Sequence, residues 1–175
     1  MGMSNRSEQI SVKVAGTMKA MKAGFEGLRG VFLHLAEEHG EVGALLKRVN
    51  KTTEPDVRRE HWSQIRTELL AHEQGELAEV YPLLTANEGT REIVALHSQE
   101  AGQLKEAIVA VDAHDFASPA WAAAFERLCT LVQQHVTEEE NDFFPRAQEV
   151  ISEEQSKLVL ERYEIAKRAA KGQGH

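Results

Sequence analysis

Apolar residues recur along this chain at steps of three and four, the period of an α-helix, and seldom at the period of two that marks a half-buried strand. Few β-branched runs or hairpin dipeptides interrupt the pattern, so the sequence predicts an all-α protein. Turn signals at Pro55, Asn87 and Ser118 divide the pattern into four long segments. The predicted helices cover about 28–51, 56–85, 90–113 and 119–149, and Ser152 opens a fifth that ends before Gly172.

Short connections between these segments make consecutive helices antiparallel neighbours. The predicted fold is therefore an up-down-up-down four-helix bundle over residues 28–150. We expect the C-terminal helix and tail, residues 151–175, to pack across it. Residues 1–27 form an N-terminal extension that is predicted to be only partly helical, because the glycines in TMKAMKAGFEGLRG weaken a helix there.

Every predicted bundle helix has a histidine on the stripe that should face the core. The second and fourth helices add a glutamate one turn after the histidine, and their stripes are predicted to continue to Leu83 and Asp142. Apolar residues such as Leu35, Leu69 and Val132 occupy the neighbouring stripe positions. The polar stripe residues are His39, His72, Glu76, His97, His135 and Glu139.

Burying such groups without partners is costly, on the order of 2–7 kcal/mol for a polar group and more for a carboxylate. Residues at one depth of an antiparallel bundle are equidistant in sequence from the turn between their helices. The midpoints between the polar stripe residues of consecutive helices fall beside Pro55, just before Asn87 and beside Ser118. The six side chains can therefore meet, and bound metal makes their burial tolerable because it accepts the lone pairs of imidazole and carboxylate together.

One pattern occurs twice in the sequence. In HEQGELAEVYP and again in HVTEEENDFFP, a glutamate follows the histidine by four residues, an aromatic residue by nine and a proline by ten. Taken singly, each of these histidines is more often a hydrogen-bonded core residue, and each His-x-x-x-Glu a pair on a helix surface. The repeat and the shared depth together favour a metal site.

The remaining candidate residues carry weaker signals. Glu100 and Asp142 are either acceptors that orient a ligand imidazole or residues of a solvated end. Cys129 follows Leu128 and is interpreted as a small core residue. The other histidines are expected at the surface, the first of them with a chance of contacting a ligand: His34, His61, His114 and His175.

Imidazole with carboxylate and without thiolate suits iron, manganese or zinc. Six ligands are too many for one tetrahedral zinc with an open position. Two metal ions bridged by the two glutamates, each with two imidazoles, account for all six. The donor set alone leaves the choice among iron, manganese and zinc open.

These residues resemble the hemerythrin, or HHE cation-binding, family. Its pattern is a histidine on the first helix, His-x-x-x-Glu on the second, a histidine on the third and a histidine with an acid on the fourth. Here it is matched by His39, by HEQGE with the later YP, by His97 and by HVTEEENDFFP, over about 30–150. The resemblance implies a four-helix bundle that holds two iron ions with an oxo or hydroxo bridge.

The chain departs from the oxygen carriers of that family in two places. They have a second histidine four residues after the one on the third helix, where this chain has Ala101, so the resemblance implies an open position on the irons. They place the last acid five residues after its histidine, which here is Glu140; Glu139 fits the stripe better, and Glu140 is its substitute. The set is more similar to bacterial hemerythrin-like proteins linked to nitric oxide, peroxide and iron–sulfur repair, although no cysteine precedes Cys129, which weakens the repair interpretation.

The favoured function is a non-haem di-iron protein that binds or reduces a small oxidant (O2, H2O2 or NO), with catalase-like turnover preferred over oxygen carriage. No catalytic residue distinct from the metal ligands is predicted. The alternative is an iron or oxygen sensor, or a metal-stabilised module that binds another protein. A metal-free structural bundle is the third hypothesis, and the sequence leaves the oligomeric state open.

Charge and composition exclude several partners. A formal net charge of -8 argues against nucleic acid and against anionic lipid, since both are bound by clustered lysine and arginine. The first residues lack the apolar stretch of a signal peptide, and no run has the length of a membrane span. A single cysteine allows no intramolecular disulfide. Together these features predict a cytoplasmic protein.

Overall fold

A computed structural model describes residues 2–172 of the chain, with side chains described for 11–24 and 26–172. The described chain is built of α-helices and contains no strand, which confirms the all-α prediction. The helices are α1 (Gly2–Phe25), α2 (Gly30–Asn50), α3 (Pro55–Gly75), α4 (Tyr81–Thr85), α5 (Glu88–Asp112), α6 (Pro119–Glu138), α7 (Phe144–Val150) and α8 (Glu153–Gly172). His175, expected at the surface, lies outside the described residues.

The predicted turn signals act where they were expected. The Asn87 side chain accepts a hydrogen bond from the backbone N–H of Gly89 at the start of α5, and Ser118 accepts one from Trp121 at the start of α6. Proline stands in the first turn of both α3 and α6, where its missing N–H costs nothing. These caps fix the helix ends and hence the depth at which each polar stripe residue lies.

Two apolar clusters lie on either side of the polar stripe residues. One contains Phe32, Leu84 and Phe144, and the other contains Ile65 and Leu128. Along each long helix, the histidine and glutamate positions fall between the residues of the first cluster and those of the second. The polar residues therefore form a layer that apolar packing closes from both ends.

Both helices with the repeated pattern contain a π-turn that begins at the glutamate. The backbone N–H of Tyr81 bonds to the carbonyl of Glu76, and that of Phe144 bonds to the carbonyl of Glu139, five residues back in each case. A proline follows each donor, and its ring would clash with the carbonyl four residues back in a regular helix. The π-turn lets the helix continue past the proline.

Each π-turn adds one residue and so shifts the inward stripe by one position. Leu84 is fully buried where Leu83 was predicted, and Phe143 is fully buried where Asp142 was predicted. Asp142 instead forms an ion pair with Arg146, 2.7 Å between the charged atoms, with about half of its side chain exposed. It belongs to the solvated end.

The N-terminal helix α1 packs along α2 through a close glycine contact. A Cβ atom on Gly40 would lie 3.0 Å from the carbonyl oxygen of Ala15 and 3.0 Å from the Cα of Gly16. Gly16 of α1 and Gly40 of α2, which have no side chains, are therefore what allows the two backbones to approach. The extension is more helical than predicted.

His61 is buried, with 5% of its surface exposed, so the prediction of a surface histidine was wrong. It lies against a cavity that Val12 of α1 and Leu45 of α2 also line. The sequence pattern gave no sign that Val12 of α1 would lie near this side of α3. None of the helices within residues 2–172 is long and apolar enough to cross a membrane.

The glycine contact predicts opposite effects for two alanine substitutions on α2. Gly40→Ala should lower the free energy of unfolding by about 1–3 kcal/mol, the usual cost of overpacking, because backbone atoms cannot give way. Gly43→Ala should raise it by about 0.5–1 kcal/mol, because a Cβ there meets nothing within 4 Å and alanine is the better helix former. Urea unfolding of both variants measures this; equal effects would contradict the proposed packing of α1 on α2.

Candidate metal centre

The six polar stripe residues come together in one buried layer. Three overlapping groups each offer ligand atoms within 4.8 Å of one another, and every residue in them is buried. The groups are His39 with His72 and Glu139, His97 with His135 and Glu139, and Glu73 with Glu76 and His135. All six predicted residues occur in these groups.

Glu139 and Glu76 lie between imidazoles contributed by different helices. Glu139 Oε2 is 3.3 Å from the Nε2 atom of His39 and 3.5 Å from that of His135. Glu76 Oε2 is 3.4 Å from the Nε2 atom of His72. The His39 and His72 Nε2 atoms are only 3.2 Å apart. Such crowding of lone pairs and negative charge is the geometry of a cation-binding site.

Sequence reasoning missed Glu73. Its Oε1 atom is 3.2 Å from the Nε2 atom of His135, and the residue is 8% exposed. It follows His72 directly, four residues after Leu69 and three before Glu76, so it also satisfies the helical period. A stripe wide enough for two residues per turn would have included it.

Buried ligand atoms without hydrogen-bond partners indicate that this layer can bind a cation. A buried polar atom without a partner costs free energy, and native structures contain few of them. Yet among the described residues several buried atoms of this layer have no partner in hydrogen-bond geometry. They are Glu73 Oε2, both carboxylate oxygens of Glu76, Glu139 Oε2, His97 Nε2 and His135 Nε2. Metal ions use these donor types, so the residues present fit a metal centre.

A second set of carboxylates lies behind the imidazoles. Glu140 is 2.9 Å from the Nδ1 atom of His39, and Glu38 is 2.9 Å from that of His72. The Oε2 atom of Glu100 is 3.0 Å from the Nδ1 atoms of both His97 and His135. A carboxylate that accepts from one imidazole nitrogen fixes the tautomer and leaves the other nitrogen free for metal. Of the open alternatives, this position favours Glu100 as an orienting acceptor and puts Glu140 behind His39.

Helices α1 and α8 reach this second set. Lys19 of α1 forms an ion pair of 3.1 Å with Glu140. From α8, the Tyr163 hydroxyl donates to Glu38 at 2.5 Å, and Lys167 Nζ lies 2.6 Å from the same oxygen. Burial and the charge of Glu38 raise the pKa of Tyr163 far above its usual range, so the hydroxyl remains a donor.

The buried acids and imidazoles of the layer shift one another's pKa values in different directions. Burial and the neighbouring charges of Glu139 and Glu73 raise the pKa of Glu76 well above its usual range. Burial lowers the pKa of His135, but the charges of Glu139 and Glu73 outweigh it and raise that pKa to about 11. Burial raises the pKa of Glu139, but His135 and His39 outweigh it and lower that pKa to about 2. The layer therefore favours the charged forms of His135 and Glu139 and the neutral form of Glu76.

The remaining predicted residues lie outside the layer. His34 is 3.1 Å from Glu38 and so contacts an orienting carboxylate instead of a ligand. His114 is exposed in the α5–α6 turn, as predicted. Cys129 is partly buried against the second apolar cluster, and this burial raises the pKa of its thiol to about 11, which suits a core residue.

The fold and this layer define an all-helical protein with a candidate cation site between its helices. The chain belongs to the hemerythrin HHE cation-binding domain family, whose sequence profile matches residues 31–147. That match includes all six predicted residues and Glu73, and it excludes α1 and α8.

Comparison with curated proteins finds a similar segment in a DNA nickase of Nostoc sp. (strain PCC 7120 / SAG 25.82 / UTEX 2576). The two are 23% identical over 130 residues, which is 74% of this chain but only 37% of the nickase. The chain therefore spans much less than the length of that relative. No solved structure matches the chain.

The raised pKa of Glu76 predicts that Glu76→Gln stabilises the metal-free protein. The neutral amide replaces a buried carboxyl whose ionised form is disfavoured by burial and by the charges of Glu139 and Glu73, a gain on the order of 1 kcal/mol or more. A carboxyl whose pKa is raised on folding loses stability as pH rises above its ordinary value of 4.5, so the advantage of the variant should grow with pH.

The measurement is calorimetric unfolding in the presence of chelator at pH 5 and pH 8. Each kcal/mol should raise the midpoint by about 2–4 °C for a chain of this size. Glu106→Gln, on the exposed face of α5, is the control and should change neither midpoint. A lower midpoint for Glu76→Gln at pH 8 would show that Glu76 has a compensating partner.

Proposed function

We propose that this layer holds two iron ions, with His39, His72, His97 and His135 as terminal ligands and Glu76 and Glu139 as bridges. Glu139 is shared by two of the three candidate groups, which supports a bridging role. Glu76 lies near His72 and is grouped with His135, which supports the same role from the opposite side. Glu73 is a seventh ligand in this proposal. The single observation that carries it is the set of unpaired, buried ligand atoms in this layer.

The proposed scaffold is an up-down-up-down four-helix bundle. Its members are α2, α3 with its continuation through α4, α5, and α6 with its continuation through α7. Contacts of α2 with α3, α3 with α5, α5 with α6 and α6 with α2 support this arrangement. We take residues 28–150 as this domain, preceded by the extension at 1–27 and followed by the helix and tail at 151–175.

The donor set supports iron over the softer metals. It combines imidazole and carboxylate, and Cys129, the only thiol of the chain, lies outside the layer. Two iron ions with an oxo or hydroxo bridge would supply electrons to a small oxidant bound beside them. Manganese and zinc are the less favoured occupants.

A groove of about 620 Å³ leads towards the layer at Ala101, the position of the missing fifth histidine. Glu73 and Ala101 lie at its inner side, and α3, α5 and α8 form its walls with Leu70, Ile108 and Ala166. Its walls are largely apolar, so it suits a small neutral molecule. We propose that O2, H2O2 or NO enters here.

Residues of the chain around the layer position the imidazoles, limit the access of water and supply a proton donor. The carboxylates of Glu38, Glu100 and Glu140 hold the imidazole rings in place. Leu35, Leu69 and Val132, all at least nine-tenths buried, limit the access of water. Tyr81 hydroxyl donates to Glu139 at 3.3 Å and is a proton donor within the layer. We therefore favour redox turnover, such as catalase-like removal of peroxide, in oxidative or nitrosative stress.

A sensor, or a metal-stabilised module that binds another protein, is the second candidate. The observation that favours it is that α1 and α8, both outside the family match, contact the orienting carboxylates through Lys19 and Tyr163. Metal occupancy would then be transmitted to helices on the surface. The net charge of -8 makes a nucleic-acid or membrane partner unfavourable in either case. We propose the cytoplasm as its location.

The test is the iron content of the purified protein together with its consumption of H2O2. We expect two iron ions per chain, near-ultraviolet bands of an oxo-bridged pair, and peroxide removal that chelation abolishes. His72→Ala and Glu139→Ala should each lower the iron content, because each removes a ligand. His114→Ala is the control, since His114 is exposed in a turn and His61 is buried.

The groove is tested with adjacent residues of α8. Ala166→Trp should slow peroxide removal and binding of NO at unchanged iron content, whereas Ile165→Trp should not, because Ile165 is 60% exposed on the outer face. Two iron ions without turnover would favour the sensor. Equal loss of iron in all three variants of the previous test, including His114→Ala, would contradict the ligand assignment.

A further inference from the structure

The carboxylate behind His72 is held by a helix that the family match does not include. Glu38 Oε2 accepts from the His72 Nδ1 atom at 2.9 Å, from the Tyr163 hydroxyl at 2.5 Å and from Lys167 Nζ at 2.6 Å. Tyr163 and Lys167 both belong to α8 (Glu153–Gly172), whereas the match ends at residue 147. The Tyr163 hydroxyl is also 3.0 Å from the His72 Nδ1 atom itself.

The ring of Tyr163 packs against α3 at Gly75, where the helix has no side chain. It is fully buried, and a Cβ atom on Gly75 would lie 2.6 Å from its Cε2 and 2.7 Å from its Cδ2 atom. Only a glycine leaves room for the ring at this point. A glycine inside a helix costs about 1 kcal/mol relative to alanine, and Gly75 stands between the ligands His72 and Glu76. Glycine makes α3 less stable here than alanine would, and the space that it leaves is occupied by the Tyr163 ring.

The contact serves the imidazole more than the general packing of α8. A buried tyrosine needs a partner for its hydroxyl, and many acceptors would satisfy that need. Here the acceptor is the carboxylate that sets the orientation of His72, and Lys167, which is 8% exposed, balances its charge. Lys167 also pairs with Glu68 at 3.3 Å, which ties the same end of α8 to α3.

We infer that Tyr163 is a positioning residue of the metal centre, which acts through Glu38 to orient His72 and which makes α8 a part of the centre. The inference rests on the proposed role of His72 as a metal ligand. Because coupling between two events is reciprocal, metal binding should in turn hold α8 against α3. The gap at Gly75 is the feature that makes this coupling specific to Tyr163.

The test compares the affinity for Fe(II), measured anaerobically by competition with a chromophoric chelator. Tyr163→Phe keeps the ring and removes the hydroxyl, so we expect a folded protein whose affinity falls by about 10- to 100-fold, the usual effect of losing an outer partner of a metal ligand. Arg168→Gln, which breaks only an exposed pair with Glu164 on the same helix, should leave the affinity unchanged.

A double-mutant cycle separates positioning from packing. Gly75→Ala should lower Fe(II) affinity because it displaces the Tyr163 ring, although alanine favours the helix. In a Tyr163→Val background, where the ring is absent, Gly75→Ala should cause no further loss. Hydrogen exchange supplies a structural readout: iron should protect the amides of α8 in the natural chain and protect them less in Tyr163→Phe.

The outcomes distinguish this inference from the proposed function. If His72→Ala loses iron while Tyr163→Phe keeps the full affinity and the full protection of α8, Tyr163 has no positioning role and the inference is overturned. If the natural chain itself binds no Fe(II) tightly, the proposed function fails first. Additive losses in the cycle would show that Gly75 and Tyr163 act separately, which also overturns it.

Discussion

Burial of carboxylates and imidazoles without enough hydrogen-bond partners is the constraint on which this structure depends. Apolar clusters close the layer from both ends, and the unpaired ligand atoms are themselves buried away from solvent. Glu76 and Glu139 are both fully buried, and burial together with the charge of Glu139 raises the pKa of Glu76. The arrangement is unfavourable for folding alone and favourable for holding a cation. This contrast is the reason for interpreting the layer as a cation-binding site.

Two further sets of residues surround the layer, and the outer set comes from α1 and α8. Histidines and glutamates from the long helices form the inside, and Glu38, Glu100 and Glu140 orient the imidazoles from behind. Lys19 of α1 and Tyr163 of α8 hold two of those carboxylates. The π-turns are also part of the layer, since each begins at a buried glutamate and lets its helix continue past a proline.

The helices, their breaks and the shared depth of the six polar residues could be predicted because they depend on period and turn chemistry alone. The shift from Leu83 to Leu84 could not, since it depends on how a helix accommodates Pro82. Contacts between segments distant in sequence could not be predicted either. The cavity that His61 shares with Val12 depends on the packing of α1, and the role of Glu38 depends on where α8 lies. Glu73 could have been found, because it satisfies the helical period.

Anomalous X-ray scattering at the iron edge, from crystals of the protein loaded with Fe(II), tests the central claim most directly. The account predicts two peaks a few ångströms apart inside the buried layer, one beside His39 and His72 and the other beside His97 and His135, with Glu139 between them. Peaks elsewhere on the molecule, or a well-ordered layer whose carboxylates hold protons or water and no metal, would contradict it.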